Sequence, residues 1–295
     1  MIVDAIKKNV NRESLSSEEA VQAMKEIMSG SATPSQMSAF LVSLSMKGES
    51  IEEIIALAQT MKEFANRIKP SYDDRLVDIV GTGGDKIKTI NLSTISAFVL
   101  ASSDIKIAKH GNRAATGKCG SADVLDRLGY RLDTEPNKVK ESIENNGIGF
   151  MFAPVFHPAM KNVIGTRKEI GVRTIFNILG PLTNPADADS MIVGVANVEL
   201  IDKYAKILPE LGCKRAIIVH GLDGLDEIAT FGETKMRFIG DLDNEGKEIT
   251  VKPEDFGLKK INSQDISGTG IDLSLIHISE PTRRYAISYA VFCLK

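Results

Sequence analysis

Apolar residues in the first seventy positions recur at helical spacing. Met37, Phe40, Leu41 and Leu44 share one face, and Ile51, Ile54, Ile55, Ala58, Met61 and Ile68 another, the period expected of amphipathic helices. Ser16 with Glu19, Thr33 with Gln36 and Ser50 with Glu53 each set a hydroxyl three residues before a Glu or Gln. That spacing opens a helix with a reciprocal pair of hydrogen bonds, Pro34 suits a first turn, and Gly30 and Gly48 suit helix ends. Residues 1–69 therefore read as a small domain of three short helices. Its apolar faces pack either on a partner subunit or on the rest of the same chain.

Past the polar linker Pro70–Arg75 the pattern changes. Short apolar runs at 76–80, 105–108, 148–153, 191–195 and 216–219 alternate with helical stretches, among them one from about Val198 to Leu211. Between them lie the short run Tyr130–Leu132 and a helix capped near Thr134 that ends by Gly147. Such alternation predicts an α/β domain with a largely parallel sheet covered on both faces. The fold class is thus α/β, a small N-terminal helical domain followed by a larger α/β domain over 74–272.

Composition narrows the function. The 295 residues are 43% apolar, enough for a sizeable core, and carry a formal net charge of -3. An acidic balance gives no electrostatic reason to expect nucleic acid or an anionic membrane as partner. Cys119, Cys213 and Cys293 form no close pair. With no signal peptide and no apolar run of about 18 residues, the expectation is a reduced, cytoplasmic protein.

Two loops concentrate the candidate chemistry. Gly81-Thr82-Gly83-Gly84-Asp85 follows the run Leu76–Val80 and leads into Asn91-Leu92-Ser93-Thr94; Lys109-His110-Gly111-Asn112-Arg113 follows Ile105–Ala108 and leads to Gly120-Ser121-Ala122-Asp123. Both read strand, glycine loop, helix. Glycines let the backbone approach a ligand, and the free amides of a helix start face an anion. Two such loops suggest a ligand with two anionic groups, for which Lys109 and Arg113 add donors. Neither matches the P-loop or the dinucleotide fingerprint. No nucleophile elbow, His-Glu-x-x-His or Cys/His zinc spacing occurs.

Those motifs, followed by Leu179-Gly180-Pro181-Leu182-Thr183-Asn184-Pro185, resemble the anthranilate phosphoribosyltransferases over roughly residues 1–272. The resemblance implies transfer of the phosphoribosyl group of phosphoribosyl pyrophosphate to anthranilate, in tryptophan biosynthesis, with Mg2+. It implies a donor site of Gly81, Gly84, Asp85, Thr89, Asn91, Leu92, Ser93, Thr94, Lys109 and Ser121, with the loop His110, Gly111, Asn112, Arg113, Ala114, Ala115, Thr116 and Gly117. Anthranilate falls to Gly81, Asn112 and Arg167, and the metal to Ser93, Asp226 and Glu227. Without the resemblance, Asp226-Glu227 beside Gly224 reads as a solvated loop and Arg167 as an exposed helix arginine. His110 is a candidate for assisting the amine's proton, whereas His157 and His220 read as structural.

The resemblance also implies a homodimer through the helical domain, in which part of 158–185 joins residues 1–69, and an anthranilate synthase as a further partner. Ala114-Ala115-Thr116-Gly117-Lys118-Cys119 departs from the family's serine-rich turn, which favours backbone over side-chain contacts there. Leu273–Leu294 looks like the translation of a sequencing adapter, so 273–295 is read as a non-native tail replacing further helices. Setting aside Glu280, Arg283, Arg284 and Lys295 with it moves the net charge from -3 to -5. A pyrimidine nucleoside phosphorylase, which shares the Gly-Thr-Gly-Gly loop, is the nearest rival; Asn112-Arg113 and Gly180–Pro185 favour the anthranilate enzymes. A non-catalytic nucleic-acid-binding relative is disfavoured by the acidic charge.

Overall fold

The computed structural model describes residues 1–84, 91–114, 120–240 and 246–262. Asp85, Thr89, Ala115, Thr116, Gly117, Cys119 and the tail 273–295 lie outside the described residues. The chain runs α1 (Ile2–Val10), α2 (Ser17–Met28), α3 (Pro34–Lys47), α4 (Ile51–Glu63), β1 (Leu76–Gly81), α5 (Leu92–Ala101), β2 (Lys106–Gly111), α6 (Ser121–Arg127), α7 (Pro136–Asn146) and β3 (Ile148–Phe152). It continues with α8 (Ala153–Phe156), α9 (Lys161–Ile170), α10 (Ile175–Leu179), β4 (Ser190–Gly194), α11 (Glu199–Glu210), β5 (Arg215–Gly221), β6 (Thr234–Ile239) and β7 (Glu248–Val251).

Two compact units emerge, Met1–Arg67 with Pro154–Pro185, and Ile68–Ala153 with the residues from Ala186 onward. In the helical unit the three expected helices start where their caps predict. Ser16, Thr33 and Ser50 each accept the backbone N–H of the third following residue, and Glu19, Gln36 and Glu53 return a bond to the cap's own N–H. A fourth helix, α1, corrects the expected count. Its start carries no side-chain cap, so the capping pattern that marks the other three is missing; what marks it is Asp4 in the first turn, Lys7 and Lys8 in the last, and the buried face of Ile2, Ala5 and Asn9. Further along, α9 packs on α2 and α3, and α10 on α3 and α4. Asn162 Nδ2 donates to Met28 O at 2.9 Å.

The second unit holds a seven-stranded sheet in the order β3-β2-β1-β4-β5-β6-β7. β1 to β5 are parallel, whereas β6 and β7 run antiparallel. The two antiparallel strands were absent from the sequence reading. The short run Tyr130–Leu132 lies outside the sheet. Its Tyr130 and Leu132 pack beside Phe150 of β3 with Ala122 and Leu125 of α6, Tyr130 meeting Phe150 edge to face at 6.1 Å. α7 begins at Pro136 with Glu135, not Thr134, at its N-cap. Val77, Ile79, Ile107, Ile192 and Val219 form one core with Ala97 and Leu100 of α5. At the amino ends of the strands, Asp189 accepts Leu76 N at 3.1 Å through Oδ1 and Lys214 N at 2.8 Å through its backbone oxygen, pinning β1 and β5 to β4.

Candidate active site

From β1 the chain winds outward through β2 to β3, then returns to place β4 on the other side of β1. The carboxyl ends of β1 and β4 are therefore a topological switch point, where open α/β sheets leave a crevice for ligands. The loops after β1, β4 and β5 meet here and are tied together. Thr82 N donates to Gly194 O at 2.9 Å, and Ala196 N donates to Thr82 Oγ1 at 3.0 Å. Gly83 N donates to Asp226 Oδ2 at 2.7 Å.

Asp226 explains two of the glycines. A Cβ on Gly81 would strike the Asp226 carboxylate, and one on Gly194 would strike its backbone oxygen, so only glycine lets the β5–β6 connection descend onto both strand ends. Asp226 and Glu227 are 7% and 9% exposed. A solvated loop is thereby excluded; these carboxylates are built into the switch point.

Lys109 on β2 is 3% exposed. Its Nζ donates to Ile79 O at 2.7 Å and to Ser93 Oγ, in the first turn of α5, at 3.3 Å. Burial pushes its ammonium down from the ordinary lysine value to about 8, against the pull of Asp78 and then Glu227 toward the charged form. Asp78 was missed by the sequence reading. It is fully buried and its Oδ1 accepts His110 N at 3.2 Å, past the register pairs Leu76–Lys106 and Val77–Ile107 of β1 and β2. A lone carboxylate inside the apolar run Leu76–Val80 was the available signal, because a buried charge needs partners. Leu92 and Thr94 are buried in α5, and Asn91 takes its N-cap position without a side-chain capping bond.

The second loop is stitched through its own backbone. Asn112 Oδ1 accepts Arg113 N at 2.8 Å, and Asn112 O accepts Ala122 N and Ser121 Oγ, both at 3.2 Å. Arg113, expected among the donors to phosphate, has its guanidinium on Asp123 and Asp126. The His110 ring is buried. His220 is structural, its Nδ1 lying 2.7 Å from Val195 O.

Arg167 belongs to the helical unit. It is half-buried on α9, its guanidinium 5.3 Å from the centre of the Phe176 ring, and burial lowers its pKa. That half-burial ends the exposed-arginine reading, and among the described residues no carboxylate pairs with it. Likewise no group of three or more His, Cys, Asp or Glu among those residues is arranged around a metal.

A family model described as the helical bundle domain of a glycosyl transferase family matches residues 3–65, and one for the a/b domain of the same family matches residues 73–279. The class is thus a glycosyl transferase. An anthranilate phosphoribosyltransferase of Persephonella marina is 47% identical over 277 residues, spanning 93% of this chain and 80% of the relative. Another, from Dehalococcoides mccartyi, is 48% identical over 268 residues, spanning 91% and 78%. The crystal structure of the Thermus thermophilus enzyme superposes with a TM-score of 0.89 at 40% identity, covering 97% of this chain and 86% of that one. The Saccharomyces cerevisiae enzyme in complex with PRPP and Mg gives 0.88 at 27% identity, covering 99% and 88%. The chain belongs to the anthranilate phosphoribosyltransferase family.

Proposed function

We propose that this chain transfers the phosphoribosyl group of phosphoribosyl pyrophosphate to the amine of anthranilate, forming N-(5-phosphoribosyl)anthranilate and pyrophosphate. The observation that carries the reading is Lys109, an ammonium buried at the switch point between the Ile79 carbonyl and the Ser93 hydroxyl. Breaking the bond from the anomeric carbon to pyrophosphate leaves positive charge on the sugar and growing negative charge on the leaving group. A pre-positioned cation beside a helix start stabilises the latter, and does so more strongly out of water. The work is electrostatic, and no protein nucleophile is required.

In this reading Gly81, Gly84, Asn91, Leu92, Ser93, Thr94, Lys109 and Ser121 face the donor, with the backbone of the second loop. Asp226, Glu227 and Ser93 would hold Mg2+, since two buried carboxylates and a hydroxyl are the hard-oxygen donors that ion prefers. The ion supplies charge neutralisation on the pyrophosphate when bound. Arg167, with Asn112 and the Gly81 backbone, receives anthranilate. A half-buried guanidinium that no carboxylate among the described residues pairs with suits a substrate carboxylate. Attack by an aromatic amine on a cationic carbon needs little base, and in this reading what assistance the amine's proton requires comes from His110, next to Lys109 on β2. The helical unit pairs with a second copy, supported by exposed Val3, Val10 and Met46. An anthranilate synthase partner and a cytoplasmic location are further expectations of this reading.

The test follows the fall of anthranilate fluorescence when phosphoribosyl pyrophosphate and Mg2+ are added. Lys109→Met should lose at least about a hundredfold in kcat/KM, in line with removal of one pre-positioned transition-state donor. A variant as active as the parent would overturn the reading. Arg167→Ala should raise the anthranilate KM about tenfold with the donor KM unchanged, the loss expected for one charge-assisted hydrogen bond. An unchanged anthranilate KM would remove Arg167 from the acceptor site.

A further inference from the structure

Phe176 has no part in the chemistry described so far. It is 5% exposed and sits on α10, where Ile175 and Leu179 are buried with it. The Arg167 guanidinium stands over its ring, 5.3 Å from the centre. Both carrier helices are fixed within the helical unit, α9 against α2 and α3, and α10 against α3 and α4. Their facing ends are fixed locally as well. Gly171 N closes α9 by donating to Arg167 O at 3.2 Å, and Thr174 N opens α10 by donating to Asn177 Oδ1 at 3.0 Å. Among the described residues the guanidinium has no hydrogen-bond or ion-pair partner. Burial lowers its pKa, and no neighbouring charge raises it back.

We propose that Phe176 is a positioning residue for the acceptor: its ring holds the Arg167 guanidinium by the face, which leaves the N–H groups in the plane of that guanidinium for a substrate carboxylate. The inference rests on the acceptor role proposed for Arg167 above. Its argument is the difference between the face and the edge of a guanidinium. A carboxylate of the protein would occupy the edge, where the paired N–H donors lie. An aromatic ring attracts the same charge through its quadrupole and uses none of those donors. Arginine is also a flexible side chain that loses rotamer freedom when it grips a ligand. A ring that already holds the head group takes part of that loss in advance.

Steady-state kinetics on the full chain test it, with anthranilate and phosphoribosyl pyrophosphate varied in turn. The proteins compared are the parent, Phe176→Leu, Arg167→Ala, their double variant, and a protein with a trifluorinated phenylalanine at position 176. Phe176→Leu removes the ring and keeps apolar bulk, whereas fluorination keeps the ring and drains negative charge from its face. Each should raise the anthranilate KM about fivefold, the loss expected of one cation–π contact, with kcat and the donor KM changed less than about twofold. In the Arg167→Ala background Phe176→Leu should add nothing further, because its effect passes through that guanidinium. An anthranilate KM unmoved by either ring variant, or equal rises in both KM values, would overturn positioning. So would a loss that persists without Arg167, or one that leucine causes and fluorination does not, since packing alone would then explain it. The fluorinated protein keeps the test open if Phe176→Leu fails to fold. If Arg167→Ala itself leaves the anthranilate KM unchanged, the acceptor-site reading fails first, and the inference with it.

Discussion

Asp226 shows how a residue legible by type acquires its meaning from neighbours. As a sequence letter it is an acid after a glycine turn; in the fold its carboxylate receives the Gly83 amide, and Gly81 and Gly194 leave room for it. Gly194→Ala should therefore cost at least about tenfold in kcat/KM for the donor, since an ångström-scale misplacement of a site group is enough for that. An alanine variant with unaltered kinetics would show that Asp226 has room to move. His157 gives a second residue-scale prediction. Burial lowers its pKa to about 4, the Thr183 backbone pulling weakly the other way. Between pH 6.5 and 4 the unfolded chain takes up the proton and the native one does not, so stability is complete above the unfolded value and falls as pH drops toward 4. Over that window the loss should reach about 3 kcal/mol. Urea unfolding at pH 7.5 and 4.5 measures it, and His157→Gln should flatten that part of the slope.

At the scale of elements, the helix starts were legible because a capping box is local: donor and acceptor lie three residues apart. Glu53 exceeds its cap role. It accepts Ser50 N, as the box requires, but also Leu15 N at 2.8 Å and the Lys47 ammonium at 2.7 Å, with both charged side chains almost wholly buried. It thus joins the start of α4 to the end of α3 and to the α1–α2 connection. Glu53→Gln should destabilise the protein by about 3 kcal/mol, the typical cost of leaving one member of a buried pair uncompensated, whereas Ser50→Ala should cost about 1 kcal/mol. Equal effects in denaturant unfolding would reduce Glu53 to an ordinary cap. The missed elements have equally physical reasons. α1 carries no cap, and β6, whose alternate residues Thr234, Met236 and Phe238 are buried, has only a short run of strand-like alternation and is ordered by its antiparallel pairing with β5. Tyr130 and Leu132 are apolar because they cover Phe150, not because they extend the sheet.

For the molecule as a whole, the helical unit is assembled from two separated stretches, Met1–Arg67 and Pro154–Pro185. Val3 on α1, Val10 at its end and Met46 on α3 stay 42%, 68% and 77% exposed, the surface expected to meet a second copy. Light scattering after gel filtration should give twice the monomer mass, and Val10→Glu with Met46→Glu should shift it toward the monomer; a monomeric parent would end the dimer proposal. The sequence by itself determined what depends on near neighbours. Helix starts, glycine loops between strand and helix, the alternation that makes a parallel sheet and the ordered motifs of the family all lie within a few residues of their own partners. Tertiary structure alone decided the rest. It placed Asp226 on a loop 143 positions away, set Asp78 beside His110, committed Arg113 to two carboxylates and took Lys109 out of water. Contact and burial, not residue type, fix the strength of a charge, and both come into being only when distant strands meet.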